Sequence, residues 1–223
     1  MLYSGVSLAR DRRQRQTVLI PLGVRPNHGA FFIAGVGVGR DNEFMTLSAQ
    51  LTHFGVHTTD LDRMVDFYTR VMGFVVSDSG TGGSGARIAF MTQNPECHHQ
   101  FVLFDGRPKE LAYNPVNQIS FRLDSLDTLK AYRQALIKEG ITQHRITDHG
   151  NAWALYFKDP EGNPVELYVD SPFYTPQPCG ELLDLDQPND EILRRTEAMC
   201  RSRPRFMSRE AWMQGIQARL DAR

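Results

Sequence analysis

Beginning at His53 the chain alternates polar and apolar side chains and then shifts to a helical period, and from Gln118, 65 residues later, it does so again. In the first copy Phe54 and Val56 alternate with His53 and His57; in the second, Ile119, Phe121 and Leu123 alternate with Gln118, Ser120 and Arg122. A period of two predicts half-buried strands. The same offset pairs Phe54 with Ile119, Val56 with Phe121, Leu61 with Leu126 and Phe67 with Tyr132, so the repeat runs through a strand and into a helix. Leu61, Met64, Val65, Phe67, Tyr68 and Val71 make the first apolar stripe, with Thr59-Asp60 as candidate N-caps and Gly73 as the stop. Leu126, Leu129, Tyr132, Leu136 and Ile137 make the second, capped by Asp124-Ser125 and ended by Gly140.

Three short β-like runs follow each helix: GFVVSD, ARIAFMT and HQFVLFD, then ITQHRIT, NAWALYFKD and PVELYVD. Each half therefore reads βαβββ. The predicted fold is α+β, with two paired βαβββ modules, about 49–106 and 115–172, forming a curved, cup-like mixed sheet with the helices outside. Beyond this domain (residues 49–172), residues 173–223 read as a C-terminal extension, proline-rich at SPFYTPQPCG and then helical over 190–201 and 208–220. Trp212, Met213, Ile216 and Leu220 give the last helix a narrow apolar stripe suited to the parent domain or a partner subunit.

Strand alternation also sorts the polar residues. With Phe54, Val56, Ile119 and Phe121 facing the helices, His53 and Gln118 face into the concavity, and Glu166 does the same opposite Val165 and Leu167. Side chains able to donate to one metal ion are thus directed into one cup. Taken singly, each also reads as a hydrogen-bonded strand residue or a solvated carboxylate.

Composition narrows the partners. With 41% hydrophobic and 23% charged residues and a formal net charge of −1, the chain offers no basic surface for nucleic acid or acidic membranes, which leaves small molecules. Cys97, Cys179 and Cys200 are odd in number and form no CxxC pair, as expected of reduced thiols in a cytoplasmic protein. Residues 1–48 read as an N-terminal extension, expected to be disordered. Its apolar runs TVLIPLGV, interrupted by Pro21, and AFFIAGVGVG are too short for a signal h-region or a membrane span, and Gly35, Gly37 and Gly39 lack the strand and helix that a dinucleotide loop needs. Met45 is an alternative start.

LTHFGVHTTDLDRMVDFYTRVMGF, NQISFRLDSL and above all HGNAWALYFKDPEGNPVELYVD resemble the vicinal oxygen chelate superfamily, which includes glyoxalase I, bleomycin-resistance proteins and type I extradiol dioxygenases. That resemblance implies a divalent metal in the cup, held by His53, Gln118 and Glu166. His98-His99 before FVLFDG, Tyr156 ten positions before Glu166, and His149 resemble the catalytic set of extradiol enzymes, which implies roles for His99, Tyr156 and His149 on a small catechol-like aromatic substrate with O₂. Fe(II) is the metal first implied. Gln118 departs from the two-histidine, one-carboxylate pattern: an amide oxygen keeps the ligand charge but is a harder and weaker donor than imidazole, which admits Mn, Zn or Ni. A glyoxalase-like lyase or isomerase and a metal-free binding protein of the bleomycin-resistance type remain the alternatives. The chain is expected to elute as a homodimer, which size-exclusion chromatography with light scattering checks. Mass analysis of the native N-terminus tests whether the residues before Met45 belong to the protein.

Overall fold

The computed structural model describes residues 50–110 and 113–222, so the expectations about the N-terminal extension lie outside the described residues. The first module comprises β1 (Phe54–Thr58), α1 (Leu61–Arg70), β2 (Val75–Thr81), β3 (Arg87–Thr92) and β4 (Phe101–Asp105). The second comprises β5 (Ile119–Arg122), α2 (Leu126–Lys138), β6 (Arg145–Asp148), β7 (Ala152–Lys158) and β8 (Pro164–Asp170). The tail adds β9 (Phe173–Tyr174), β10 (Glu181–Leu182), α3 (Asn189–Arg201), β11 (Met207–Ser208) and α4 (Arg209–Asp221).

The strands form a β1-β4-β3-β2 sheet and a β10-β6-β7-β8-β5 sheet, with β9 and β11 as a separate pair. In each module the first strand runs parallel to the last, while the other neighbours are antiparallel. The curved surface thus consists of two sheets, each with its own hydrogen bonds. Edge strand β1 lines two hollows, Gly55–His57 with the segment Asn114–Val116 before β5 in one and Thr52–Phe54 with Ser120–Arg122 of β5 in the other.

Local chemistry ends the helices where the sequence predicts. Asp60 accepts a hydrogen bond from the Arg63 N–H (3.1 Å) and Ser125 one from the Thr128 N–H (3.1 Å), each satisfying an orphan donor of the first turn. Gly73 (φ +76°) and Gly140 (φ +79°) then take the left-handed conformation that stops each helix. Leu61, Met64, Phe67 and Tyr68 of α1 and Leu126, Leu129 and Leu136 of α2 are buried in one core with Val56, Phe101, Ile119, Leu155 and Leu167. This core crosses the module boundary: the Phe67 ring centroid lies 6.4 Å from Phe157, and Phe121 lies 5.7 Å from Phe74.

The turn between β7 and β8 locks one module to the other. Glu161 Oε1 accepts from the Thr59 N–H (2.6 Å), the Thr59 hydroxyl (2.9 Å) and the Asp60 N–H (2.8 Å), all at the start of α1. A carboxylate at a helix N-terminus is favoured both by the free N–H groups and by the helix dipole. Asp159, 5% exposed, holds the turn by accepting from Asn163 Nδ2 (2.8 Å) and the backbone N–H groups of Glu161 (3.0 Å) and Asn163 (2.9 Å). It also accepts from the Tyr68 hydroxyl (3.2 Å) of α1. Burial raises its carboxyl above the ordinary range, against the pull of those donors.

Three features depart from the periodic reading. The strand predicted over 141–147 starts only at Arg145, because the Ile141 N–H bonds back to the Leu136 carbonyl (2.9 Å) and closes the end of α2. Ile137 stays 38% exposed, so the apolar face of α2 is narrower than its sequence stripe. The proline-rich run carries β9 and leads into β10, which extends the second sheet beyond β6. In the tail, α3 docks on the domain: Trp153 Nε1 donates to Thr196 Oγ1 (2.8 Å), and that hydroxyl donates to the buried Asp148 (2.5 Å). α4 buries no residue, although Trp212 stacks on Tyr174 at 5.6 Å. Among the described residues no helix is long and apolar enough to cross a membrane.

Removing the Glu161 carboxylate leaves two backbone N–H groups and a hydroxyl without their acceptor. Glu161→Ala is expected to cost on the order of 2–3 kcal/mol, lowering the midpoint of thermal unfolding by roughly 5–10 °C for a chain of this size. Differential scanning calorimetry checks this, and an unchanged midpoint would mean that the turn does not hold the modules together.

Candidate active site

Across the second sheet the register aligns Ser120 of β5, Glu166 of β8, Tyr156 of β7 and Arg145 of β6 in one row. Their sequence neighbours Ile119, Val165, Leu155 and Phe157 go to the core, so alternation turns this row to the opposite, concave face. Gln118 sits two residues before Ser120, on the same side.

Glu166 is the hub of this row and is only 8% exposed. Its Oε2 accepts from Gln118 Nε2 (3.0 Å) and from the Ser120 hydroxyl (2.5 Å), while Oε1 accepts from the Tyr156 hydroxyl. Behind Tyr156 stands His149, with Nε2 at 2.8 Å from the phenol oxygen and Nδ1 at 2.5 Å from the Cys179 carbonyl. A carbonyl can only accept, so Nδ1 carries a proton. Nε2 then donates to the phenol only when the imidazole is protonated, and the phenol passes its own proton toward Glu166. Burial, and then the hydrogen bond to Glu166 and its charge, push the Tyr156 hydroxyl well above its ordinary value, so it is a proton donor at neutral pH. Arg145, its guanidinium 4.5 Å from the centre of the Tyr156 ring, pulls the other way.

The other predicted residues gather on the first module. His53 is exposed just before β1, with Nδ1 3.1 Å from Thr52 Oγ1 and its ring 4.2 Å from the ring of His99. His99 is half-buried against Phe90 (5.1 Å), with its Nδ1 2.9 Å from Nδ1 of His98. Desolvation first, and then the neighbouring imidazoles of His53 and His98, lower its pKa, which keeps it a neutral base. The two groups meet at the seam: a hollow of about 360 Å³ is lined by His53 and Gln100 on one side and by Ser120 and Arg122 on the other.

The donor types suit a divalent ion, while His53 lines the hollow with Ser120 and Arg122, and Gln118 lines the one with Tyr156 and Arg145. No three His, Cys, Asp or Glu side chains among the described residues stand together as a metal cage. The Gln118 amide presents Nε2 to Glu166, and a half-turn about its last side-chain bond presents Oε1 instead. His53 Nε2 has no hydrogen-bond partner among the described residues, while Thr52 holds Nδ1. One imidazole nitrogen, one amide oxygen and one carboxylate suit a borderline or hard divalent metal.

Periodicity alone did not single out Ser120, Arg145 or the Cys179 carbonyl. Ser120 carried a usable signal, since it repeats the polar phase of Gln118. The other two reach the row through strand register and through the tail, which single-strand patterns do not record.

Residues 50–167 match the family model described as Glyoxalase/Bleomycin resistance protein/Dioxygenase superfamily. The chain is 32% identical over 139 residues to biphenyl-2,3-diol 1,2-dioxygenase 3 of Rhodococcus globerulus, covering 60% of this chain and 69% of that protein. It is 27% identical over 120 residues to a probable trivalent organoarsenical cleaving enzyme of Bacillus subtilis (strain 168), covering 52% and 77%. A solved glyoxylase/bleomycin resistance protein/dioxygenase domain from Frankia sp. EAN1pec superposes with a TM-score of 0.48 at 23% identity, covering 56% of this chain and 93% of that one. With more than half of its length matched, the chain belongs to the Glyoxalase/Bleomycin resistance protein/Dioxygenase superfamily.

Proposed function

We propose that the protein is a metal-dependent, extradiol-type dioxygenase that opens the ring of a catechol-like aromatic substrate with O₂. The observation that carries this reading is the hydrogen-bonded chain from the Cys179 carbonyl through His149 and Tyr156 to Glu166, beside Gln118 on the concave face. The similarity to biphenyl-2,3-diol 1,2-dioxygenases supports it. A divalent metal held by His53, Gln118 and Glu166, Fe(II) first and Mn, Zn or Ni as alternatives, supplies a cationic centre for the two vicinal oxygens of the substrate and favours loss of their protons.

The chain's own groups have distinct tasks. Tyr156 donates a hydrogen bond to a developing oxyanion of the substrate, the group that now binds Glu166 being free to turn to a ligand. His149, anchored at Nδ1 by the Cys179 carbonyl, holds the phenol oxygen in place through Nε2. His99, kept neutral by its surroundings, accepts a substrate proton on the opposite wall. Phe90 packs against His99 and gives that wall an apolar surface for an aromatic ring.

A glyoxalase-like site is less well supported, because the concave phase of β4 offers Val102 and Phe104, preceded by Gln100, with no carboxylate among them. One observation favours a metal-free binding module instead: both oxygens of Glu166 already accept protein hydrogen bonds. Metal content separates the two. Anaerobic loading with Fe(II), followed by a panel of catechols and O₂, is expected to give a yellow ring-opened product with matching oxygen uptake. A metal-loaded protein that consumes no oxygen with any of them would end the ring-cleavage reading. Glu166→Ala is expected to lose both metal and turnover. Tyr156→Phe is expected to keep its metal and lose roughly 10²–10⁴-fold in turnover, measured by oxygen uptake alongside metal analysis.

A further inference from the structure

Beside the candidate site lies a hollow of about 550 Å³ whose lining joins Gln118 and Tyr156 to Arg145, Lys158 and His144, with no acidic side chain among the residues that line it. Register explains the grouping. Arg145 pairs with Tyr156 across β6 and β7, and Lys158, two residues after Tyr156 on the same face, pairs with Pro164 next to Gln118. Neither cation forms an ion pair with a described residue. The Arg145 guanidinium lies over the Tyr156 ring, 4.5 Å from its centre, with its hydrogen-bond donors unused. His144 Nδ1 is buried in the same wall without a hydrogen-bond partner. Glu166 sits in the same row as Arg145, beyond Tyr156, and already has three donors of its own, while Asp66, Glu139 and Asp159 share a separate hollow with Lys158 without forming an ion pair with it among the described residues.

We infer that the substrate carries an anionic substituent, a carboxylate or a phosphonate, and that Arg145 and Lys158 receive it while the aromatic part faces Tyr156. This rests on the proposed reading of the site for where the substrate lies, and it adds the class of the substituent. The physical argument is local. Arg145 and Lys158 stand two positions apart along the β6–β7 ladder and are both exposed, so an anion between them takes the free guanidinium donors and meets the ammonium charge. A neutral substrate leaves both cations uncompensated.

Binding, measured by titration calorimetry without turnover, tests this whether or not the protein cleaves rings. The ligands are 3,4-dihydroxyphenylacetate, its neutral analogue 4-ethylcatechol and phenylphosphonate, each added to the metal-loaded protein and to the metal-free protein. The wild type is expected to bind the carboxylate at least about tenfold more tightly than the neutral analogue, the size of one charge-assisted hydrogen bond. That ratio should shrink with added salt and fall to within about twofold in Arg145→Gln/Lys158→Gln, whose fold is checked by circular dichroism. Phenylphosphonate binding more tightly than the carboxylate would assign the substituent as phosphonate. A ratio near one in the wild type, a ratio that survives in the double variant, or binding of none of the three ligands would overturn the inference. Failure of ring cleavage with the binding ratio intact would remove only the dioxygenase reading.

Discussion

Thr59 and Asp60 open the first helix with backbone N–H groups that no intrahelical carbonyl can satisfy, and the carboxylate of Glu161, from the second module, accepts both. That contact is made across the module boundary, beside the core that both modules share. The turn that carries Glu161 is the link between β7 and β8, so the interaction that caps α1 also sets the position of Tyr156 and Glu166. Asp159 and Asn163 close the turn, and Tyr68 ties it to the first helix from below. A buried acceptor with donors from two modules tolerates little displacement, because each lost partner leaves a desolvated group unpaired.

A second constraint shapes the chemistry. Glu166 is nearly buried, and a carboxylate there is stable only with donors around it. Gln118, Ser120 and Tyr156 supply them, each from a different position of the same register row or beside it. The same carboxylate is the natural ligand for a cation, so protein donors and a metal compete for its oxygens. The Gln118 amide donates to the carboxylate through nitrogen, and a half-turn of that amide would present its oxygen instead. An imidazole in its place would bind a metal more strongly and would lose the option of an amide oxygen.

Charge is unevenly spread around the cup. The first module groups His53, His99 and Phe90; the second groups the Glu166 carboxylate, the Tyr156 phenol and two cations, Arg145 and Lys158, that have no ion pair among the described residues. The tail contributes as well: Cys179 orients His149 through its carbonyl, and α3 holds Asp148, the residue before His149, through Thr196. The C-terminal extension is therefore part of the site's support.

Periodicity and capping by themselves determined both βαβββ modules, the two helix stops at Gly73 and Gly140, and the face to which Gln118 and Glu166 belong. These are local properties, because side-chain direction along a strand or helix follows from the backbone geometry of a few consecutive residues. Tertiary structure alone decided which of those residues touch. Strand register brought Ser120, Glu166, Tyr156 and Arg145 into one row, and packing set His53 against His99 on the neighbouring sheet. It also turned DPEGN, which reads as a simple turn, into the clamp on α1. Pairing between distant strands depends on how two modules share one core, and no period within either of them encodes that.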